Sequence, residues 1–314
     1  MLDIAIIGGG PAGLSAGLYA ARGGAYAALF EELYAGGQAA KTHQIDNYPG
    51  FSDGIEGFML GAQIEQQATR FGLTIEYATV RQLVLAGDEK KIVLADRTVE
   101  TKTVILAMGA SPKKLGVERE AEMTGAGVSY CATCDGAFFK GKEVAVVGGG
   151  DTAIADALYL SRFADRVYVV HRRDQLRASE ALQRAARAEE KIEFIWDSVV
   201  TALLGEQQIE GLTVKNVRTG LLRPVAVAGV FVAVGIEPRT ELVRGQLTLA
   251  PDGSIVTDSR MQTSLPGVFA AGDIRDTVLR QVVTACGDGA TAAFAAQLHV
   301  EELKGTLYPH RKQS

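Results

Sequence analysis

Two cysteines with two residues between them, Cys131 and Cys134 in the run Cys131-Ala132-Thr133-Cys134-Asp135, are the side chains best suited to chemistry. At that spacing a pair of thiols can close a small disulfide ring and reopen it by exchange, or supply half the ligands of a zinc site. A closed structural zinc site takes four ligands, and the chain offers no second CxxC and no HxxxH pair to complete one. Asp135 is the nearest ionisable side chain in sequence. Beside the apolar Phe138-Phe139 pair it is a candidate to protonate a leaving thiolate, and its simpler reading is a helix cap. The histidines, at 43, 171, 299 and 310, offer no better acid–base candidate, and Cys286, between Ala285 and Gly287, reads as a buried small residue.

The elements that must position this pair carry a repeat. Leu2–Ile7 is an apolar strand, interrupted only by Asp3, that runs into Gly8-Gly9-Gly10-Pro11-Ala12-Gly13 and then a helical stretch to Arg22. A second strand, Ala27–Phe30, ends on Glu31. About 140 residues later Glu143–Val147 repeats the pattern, with Gly148-Gly149-Gly150-Asp151-Thr152-Ala153, a helical stretch and the strand Val167–Val170. Each is a βαβ opening of the dinucleotide-binding kind. Gly8 and Gly148 make the tight turn, Gly10 and Gly150 let a pyrophosphate approach the backbone, and Gly13 or Ala153 lets helix and strand pack closely.

The copies differ at the end of their second strand. Glu31 is placed to accept hydrogen bonds from a ribose 2′-hydroxyl, which suits the adenosine of FAD or NAD. The matching place in the second copy holds His171-Arg172-Arg173, with Arg177 shortly after, and a 2′-phosphate needs that positive charge. The first copy is therefore expected to take FAD and the second NADPH. Two dinucleotide sites and a CxxC together suggest electrons passing from one cofactor, through the other, to a disulfide.

The chain's 314 residues leave room for about two domains. The net charge of −5 argues against a dedicated nucleic-acid binder, and no apolar run approaches the ~18 residues that span a bilayer. The first fingerprint begins at Gly8, so a leader peptide is not expected and a cytoplasmic setting is. Val104–Gly109 followed by Ser111-Pro112, and Val230–Gly235 followed by Ile236-Glu237-Pro238, read as strands that exit into crossovers. The predicted architecture is α/β, with two Rossmann-like domains and the second inserted into the first. Residues 1–112 and 241–314 form the FAD domain, and 113–240 form the NADPH domain with the CxxC. Residues 301–314 read as a helix end and a basic tail.

Over essentially its whole length the chain resembles thioredoxin reductases of the low-molecular-weight, bacterial type, within the class II pyridine nucleotide-disulfide oxidoreductases. The resemblance rests on GGGPAGLSAGLYAAR at 8–22, GGQ at 36–38, IDNYPG at 45–50 and CATCDG at 131–136. It continues through GGGDTA at 148–153, HRRD at 171–174, GVFAAGD at 267–273 and RQ at 280–281. It implies a homodimer that reduces thioredoxin. It further implies FAD contacts from Gly36, Gly37, Gln38, Asn47, Gly272, Asp273, Arg280, Gln281 and Val282, besides the first fingerprint. Asp273 would bond the ribitol chain, and Ile274 would open a helix facing the flavin. The NADPH domain is expected to rotate, because nicotinamide and dithiol must take turns at the flavin. Met108, Asp46 and Ala39-Ala40-Lys41 depart from the usual pattern without removing a group the chemistry requires.

The implied reaction passes a hydride from NADPH to FAD, opens the Cys131–Cys134 disulfide and exchanges the dithiol with a partner's disulfide, Cys134 being favoured as the cysteine that faces the flavin. The alternatives are a related flavin dithiol oxidase, or a reductase of another protein disulfide such as that of a peroxiredoxin system. Arg172, Arg173 and Arg177 argue against the oxidase, and the chain has no room for the extra N-terminal module that peroxiredoxin reductases carry.

Overall fold

In the computed structural model, residues 1–42 and 44–306 are described, so His43, His310 and the basic end of the chain lie outside the described residues. The chain divides into two compact units, one of Met1–Ser111 with the segment from Glu237 onward, the other Pro112–Ile236. The two crossings, Ala110–Pro112 and Ile236–Pro238, pair with each other as a two-stranded ribbon.

In the first unit Leu2–Ile7 lies between Ala27–Glu31 and Thr98–Leu106, parallel to both, and Thr74–Tyr77 extends the sheet beyond Ala27–Glu31. Thr98–Leu106 is long enough for two further partners. Its first half pairs antiparallel with Lys90–Val93, and its second half pairs parallel with Val268–Ala270. Successive residues of the first strand serve opposite faces: Ile4 and Ile6 pack toward the helices Pro11–Arg22, Gly57–Arg70 and Val282–Leu303, while Ala5 and Ile7 pack into a second core. Burial on both faces is why this strand reads as a continuous apolar run rather than an alternating one.

The second unit repeats the plan more simply. Five strands, all parallel, lie in the order Ile192–Ile195, Arg166–Val170, Glu143–Gly148, Gly229–Ala233, Val128–Ser129. Helix Asp151–Leu160 packs on one face through Ala153, Ile154, Ala157 and Leu160. The antiparallel meander Ser198–Leu204, Gly211–Asn216 and Leu222–Ala226 covers the other. In each unit the strand order reverses beside the first strand, and the glycine turn leaves that strand's carboxyl end, where such sheets bind ligands.

Candidate active site

The first glycine turn is closed by backbone atoms. Gly8 has φ +104°, and a β-carbon there would lie 2.5 Å from the Ala107 carbonyl oxygen. One at Gly13 would lie 1.9 Å from the Gly8 carbonyl oxygen, so helix and strand meet at a distance only glycine permits. Gly10 caps helix Pro11–Arg22, with Pro11 in its first turn, where its missing N–H costs nothing. The Gly36-Gly37 loop folds onto this turn. The Gly36 N–H donates to the Gly9 carbonyl (2.8 Å), and a β-carbon at Gly37 would lie 2.8 Å from the Gly10 Cα. Glu31 accepts from the Gly9 N–H at 2.6 Å and from the Leu33 N–H at 3.0 Å, which brings its carboxylate to the turn.

The remaining first-unit residues gather at the start of helix Val282–Leu303. Asn47 donates to the Gln281 side chain at 2.8 Å, and Gln281 caps the helix reciprocally with Thr284. Gly272 approaches Ala12, and its N–H donates to Asp288 at 3.1 Å; Asp288 also pairs with Arg275 at 3.5 Å. Burial raises the Asp273 pKa, Asp288 adds to the rise, and Arg280 draws it partly back. The Arg280 Nε is buried with no hydrogen-bond partner among the described residues. Gln38 is exposed.

Ile274 does not open a helix. It closes the short 3₁₀ turn Gly272–Ile274, and the following helix begins only at Val282. Gly272 sits at φ +77°, and the Ile274 carbonyl accepts from the Ile255 N–H, which draws the chain out into extended backbone at Arg275.

The second turn has the same backbone and a different lid. A β-carbon at Gly148 would lie 2.4 Å from the Ala233 carbonyl oxygen and 2.7 Å from the Ala153 Cβ. The His171 ring packs on Gly149, so closely that a β-carbon there would lie 2.3 Å from Nδ1. Its Nε2 is 3.1 Å from the Gln175 carbonyl. Burial lowers the His171 pKa, with Arg177, Arg173 and Arg172 contributing in the same direction. His171 thus acts as a neutral wedge that shapes the loop after the strand.

Two further bonds staple that loop to the turn: the Arg177 N–H donates to the Gly149 carbonyl at 2.7 Å, and the Ser179 N–H donates to Asp151 at 2.7 Å. Arg172, Arg173 and Arg177 are exposed, and among the described residues no carboxylate pairs with them. Asp174, the acid nearest in sequence, is taken by Arg218 at 2.5 Å. Gly150 and Thr152 leave the helix start open.

Cys131 and Cys134 form a disulfide, with Cα atoms 5.3 Å apart. Cys131 caps the four-residue helix Ala132–Asp135, whose Ala132 is buried with Ala153, Ala157 and Leu160. Ser129, which the sequence reading passed over, organises the site. Its hydroxyl donates to Asp135 at 2.6 Å and accepts from the Cys131 N–H at 3.1 Å. The polar end of a buried strand two residues before a cysteine was the available signal. Phe138 is exposed, and Phe139 packs edge-on against Phe231. The Asp135 carboxylate is therefore held by a hydroxyl.

Asp288 was also passed over. It follows Gln281 by seven residues, two turns along one helix face, and that period could have disclosed it. Cys286 is half-buried, its sulfur 3.8 Å from the Tyr48 hydroxyl and 3.7 Å from the Pro11 carbonyl, and burial raises its pKa.

Both turns fit a dinucleotide. The Gly10–Gly37 approach, the helix start and the unpartnered Arg280 Nε suit the pyrophosphate and polar chain of FAD. The open Gly150 and the three unpaired arginines suit a nucleotide with a 2′-phosphate. The pyridine nucleotide-disulphide oxidoreductase profile matches residues 2–289. The chain belongs to that family. As a pyridine nucleotide-disulphide oxidoreductase it is 46% identical over 298 residues to a thioredoxin reductase of Streptomyces coelicolor, covering 94% of this chain and 92% of that one. It is 44% identical to the bifunctional thioredoxin reductase/thioredoxin of Mycobacterium leprae, covering 97% of this chain and 67% of that protein. The crystal structure of thioredoxin reductase from Streptococcus pyogenes matches with a TM-score of 0.89 at 45% identity, covering 96% of this chain and 99% of that one.

Proposed function

We propose that this oxidoreductase carries out the NADPH-dependent reduction of the thioredoxin disulfide, with FAD and the Cys131–Cys134 pair as its internal carriers. The observation that carries the reading is a disulfide in a unit that also presents an arginine-flanked dinucleotide turn. Bound FAD would supply a two-electron carrier between the nicotinamide and the disulfide.

The chain's own residues do the rest. Gly8, Gly10, Gly13, Gly36 and Gly37 admit the FAD pyrophosphate, Glu31 takes its adenosine ribose, and Asp273, Arg280 and Gln281 line its polar chain. Gly148 and Gly150 admit the NADPH pyrophosphate, His171 sets the loop, and Arg172, Arg173 and Arg177 grip the 2′-phosphate. In the reduced pair, one thiolate attacks a sulfur of the partner disulfide and displaces the other sulfur as a thiolate. The second thiol then attacks the mixed disulfide, releasing the partner as a dithiol and restoring the Cys131–Cys134 bond. Asp135, held by Ser129, moves the proton between enzyme and departing thiolate.

Thioredoxin as client is supported by the Mycobacterium leprae relative, which is named for reductase and thioredoxin together. Exposed Phe138, three residues beyond the helix of the pair, offers an apolar contact beside the sulfurs. The reading includes a homodimer, tested by sedimentation mass, and a cytoplasmic setting, where the cell's reductants keep such a pair in turnover.

The test is NADPH consumption with oxidised thioredoxin, beside Cys134→Ser. Turnover in the wild type that the variant loses, with flavin bleaching retained, supports the reading. Thioredoxin left oxidised by a wild type whose flavin is reduced would assign another client.

A further inference from the structure

A small cavity of about 170 Å³ lies in the first unit, lined by none of the residues of that unit's glycine turn. Leu85, Leu265 and Leu303 form much of its wall. Lys90 enters it from the strand Lys90–Val93 and is 2% exposed. Among the described residues its ammonium donates to the Gly87 carbonyl, at 2.8 Å. His299 enters from helix Val282–Leu303. Both groups converge on Gly267: a β-carbon there would lie 2.9 Å from the His299 Nε2 and 3.0 Å from the Lys90 Nζ. The rim is open, since Gly87, Asp88, Pro266 and Leu303 are exposed.

Three features set the ligand chemistry. An amine and an imidazole face one point in an apolar enclosure, an arrangement suited to nucleophilic attack with proton transfer. Asp88 on the lining disfavours anions. The volume admits only a few heavy atoms, at about 30 Å³ for each water-sized group. We propose that this cavity is a modification site, at which Lys90 attacks small uncharged aldehydes with His299 as the proton carrier. The Lys90 nitrogen bonds to the carbonyl carbon while the C=O π pair moves to oxygen, and the nitrogen's proton passes to His299. Return of that proton to the oxygen gives a carbinolamine. The nitrogen's second proton then passes through His299 to the hydroxyl, which leaves as water while the nitrogen lone pair closes the C=N bond, so amine and aldehyde give imine and water with no change of oxidation state.

Burial holds the Lys90 amine below its usual range, opposed by Asp88. Burial, with Lys90, does the same for His299, opposed by Glu302 and Asp88. Both shifts run toward the uncharged forms that react.

Lys91 is exposed and paired with Glu100 at 3.5 Å, which makes it an internal reference on the same strand. The intact chain is treated with propanal and cyanoborohydride between pH 6 and 9, and the alkylated lysines are followed by peptide mass spectrometry. Lys90 should be labelled about fivefold faster than Lys91 near pH 7.5, with its profile displaced to lower pH. His299→Gln should slow Lys90 severalfold and leave Lys91 unchanged. Labelling of Lys90 no faster than Lys91, or only after unfolding in urea, would overturn the proposal and leave Lys90 as a tie to Gly87. An unchanged Lys90 rate in the His299 variant would overturn the role given to the imidazole.

Discussion

The two glycine turns share a backbone and differ in what closes them. Glu31 and His171 occupy matching places, one at each second-strand end. Glu31 reaches back and accepts from the Gly9 N–H, whereas His171 lays its ring on Gly149 and fixes its own loop through Gln175. The acid leaves an acceptor at the turn; the imidazole fills the space and sends the cationic side chains that follow it outward. The two turns thus differ in which loop the closing residue holds, as well as in the charge of that loop.

The largest test of this contrast exchanges the helix-packing residue. Gly13→Ala introduces a β-carbon 1.9 Å from the Gly8 carbonyl oxygen, although the second turn carries Ala153 at the same place. It should cost about 3 kcal/mol or more and yield protein depleted of flavin, read by thermal melting and the flavin-to-protein ratio. Next, Arg172→Ala with Arg173→Ala should raise the KM for NADPH by about 30-fold, equivalent to about 2 kcal/mol, while the NADH value stays unchanged. An equal rise for both nucleotides would break the assignment of the 2′-phosphate to these arginines.

A third test lies in the helices that follow the turns. Ala16 is fully buried in the first, and the matching residue in the second is Asp156, whose pKa burial raises to about 6. The unfolded chain releases that proton near 3.8, so ionisation favours unfolding as pH rises from about 4, and the penalty is fully present above about 6. Asp156→Ala should therefore stabilise the protein by about 1–2 kcal/mol at pH 7.5, with the gain shrinking toward pH 4 in urea melts.

The smallest effect concerns His171. Its folded pKa lies below the ordinary 6.5, so its contribution is fully present above about 6.5 and is lost as pH falls, because the unfolded chain takes up a proton the folded chain refuses. His171→Gln should flatten the stability profile on the acid side, measured by denaturant midpoints across that range.

Both turns and the cysteine pair were legible in the sequence because their geometry is local. A strand, a fixed glycine spacing and a helix lie within one short segment. Glu31 and the arginines were legible for the same reason, each being in register with its fingerprint. Residues that meet across distant segments were not. Asp288 joins Gly272 from another element, and Lys90 meets His299 only because two elements converge on Gly267. Ile274 illustrates the opposite error: the family resemblance implied a helix start there, but pairing with Ile255 keeps the chain extended. His171 was read as part of a cationic cluster, and its burial against Gly149 gives it a steric role instead.

The most direct test of the electron path is an anaerobic NADPH titration with the thiols of Cys131 and Cys134 counted by mass tagging after each addition. About two equivalents should be consumed, one bleaching the flavin and the other appearing as two new thiols at those cysteines. A bleached flavin above an intact Cys131–Cys134 disulfide would contradict it, as would a flavin that NADPH leaves yellow.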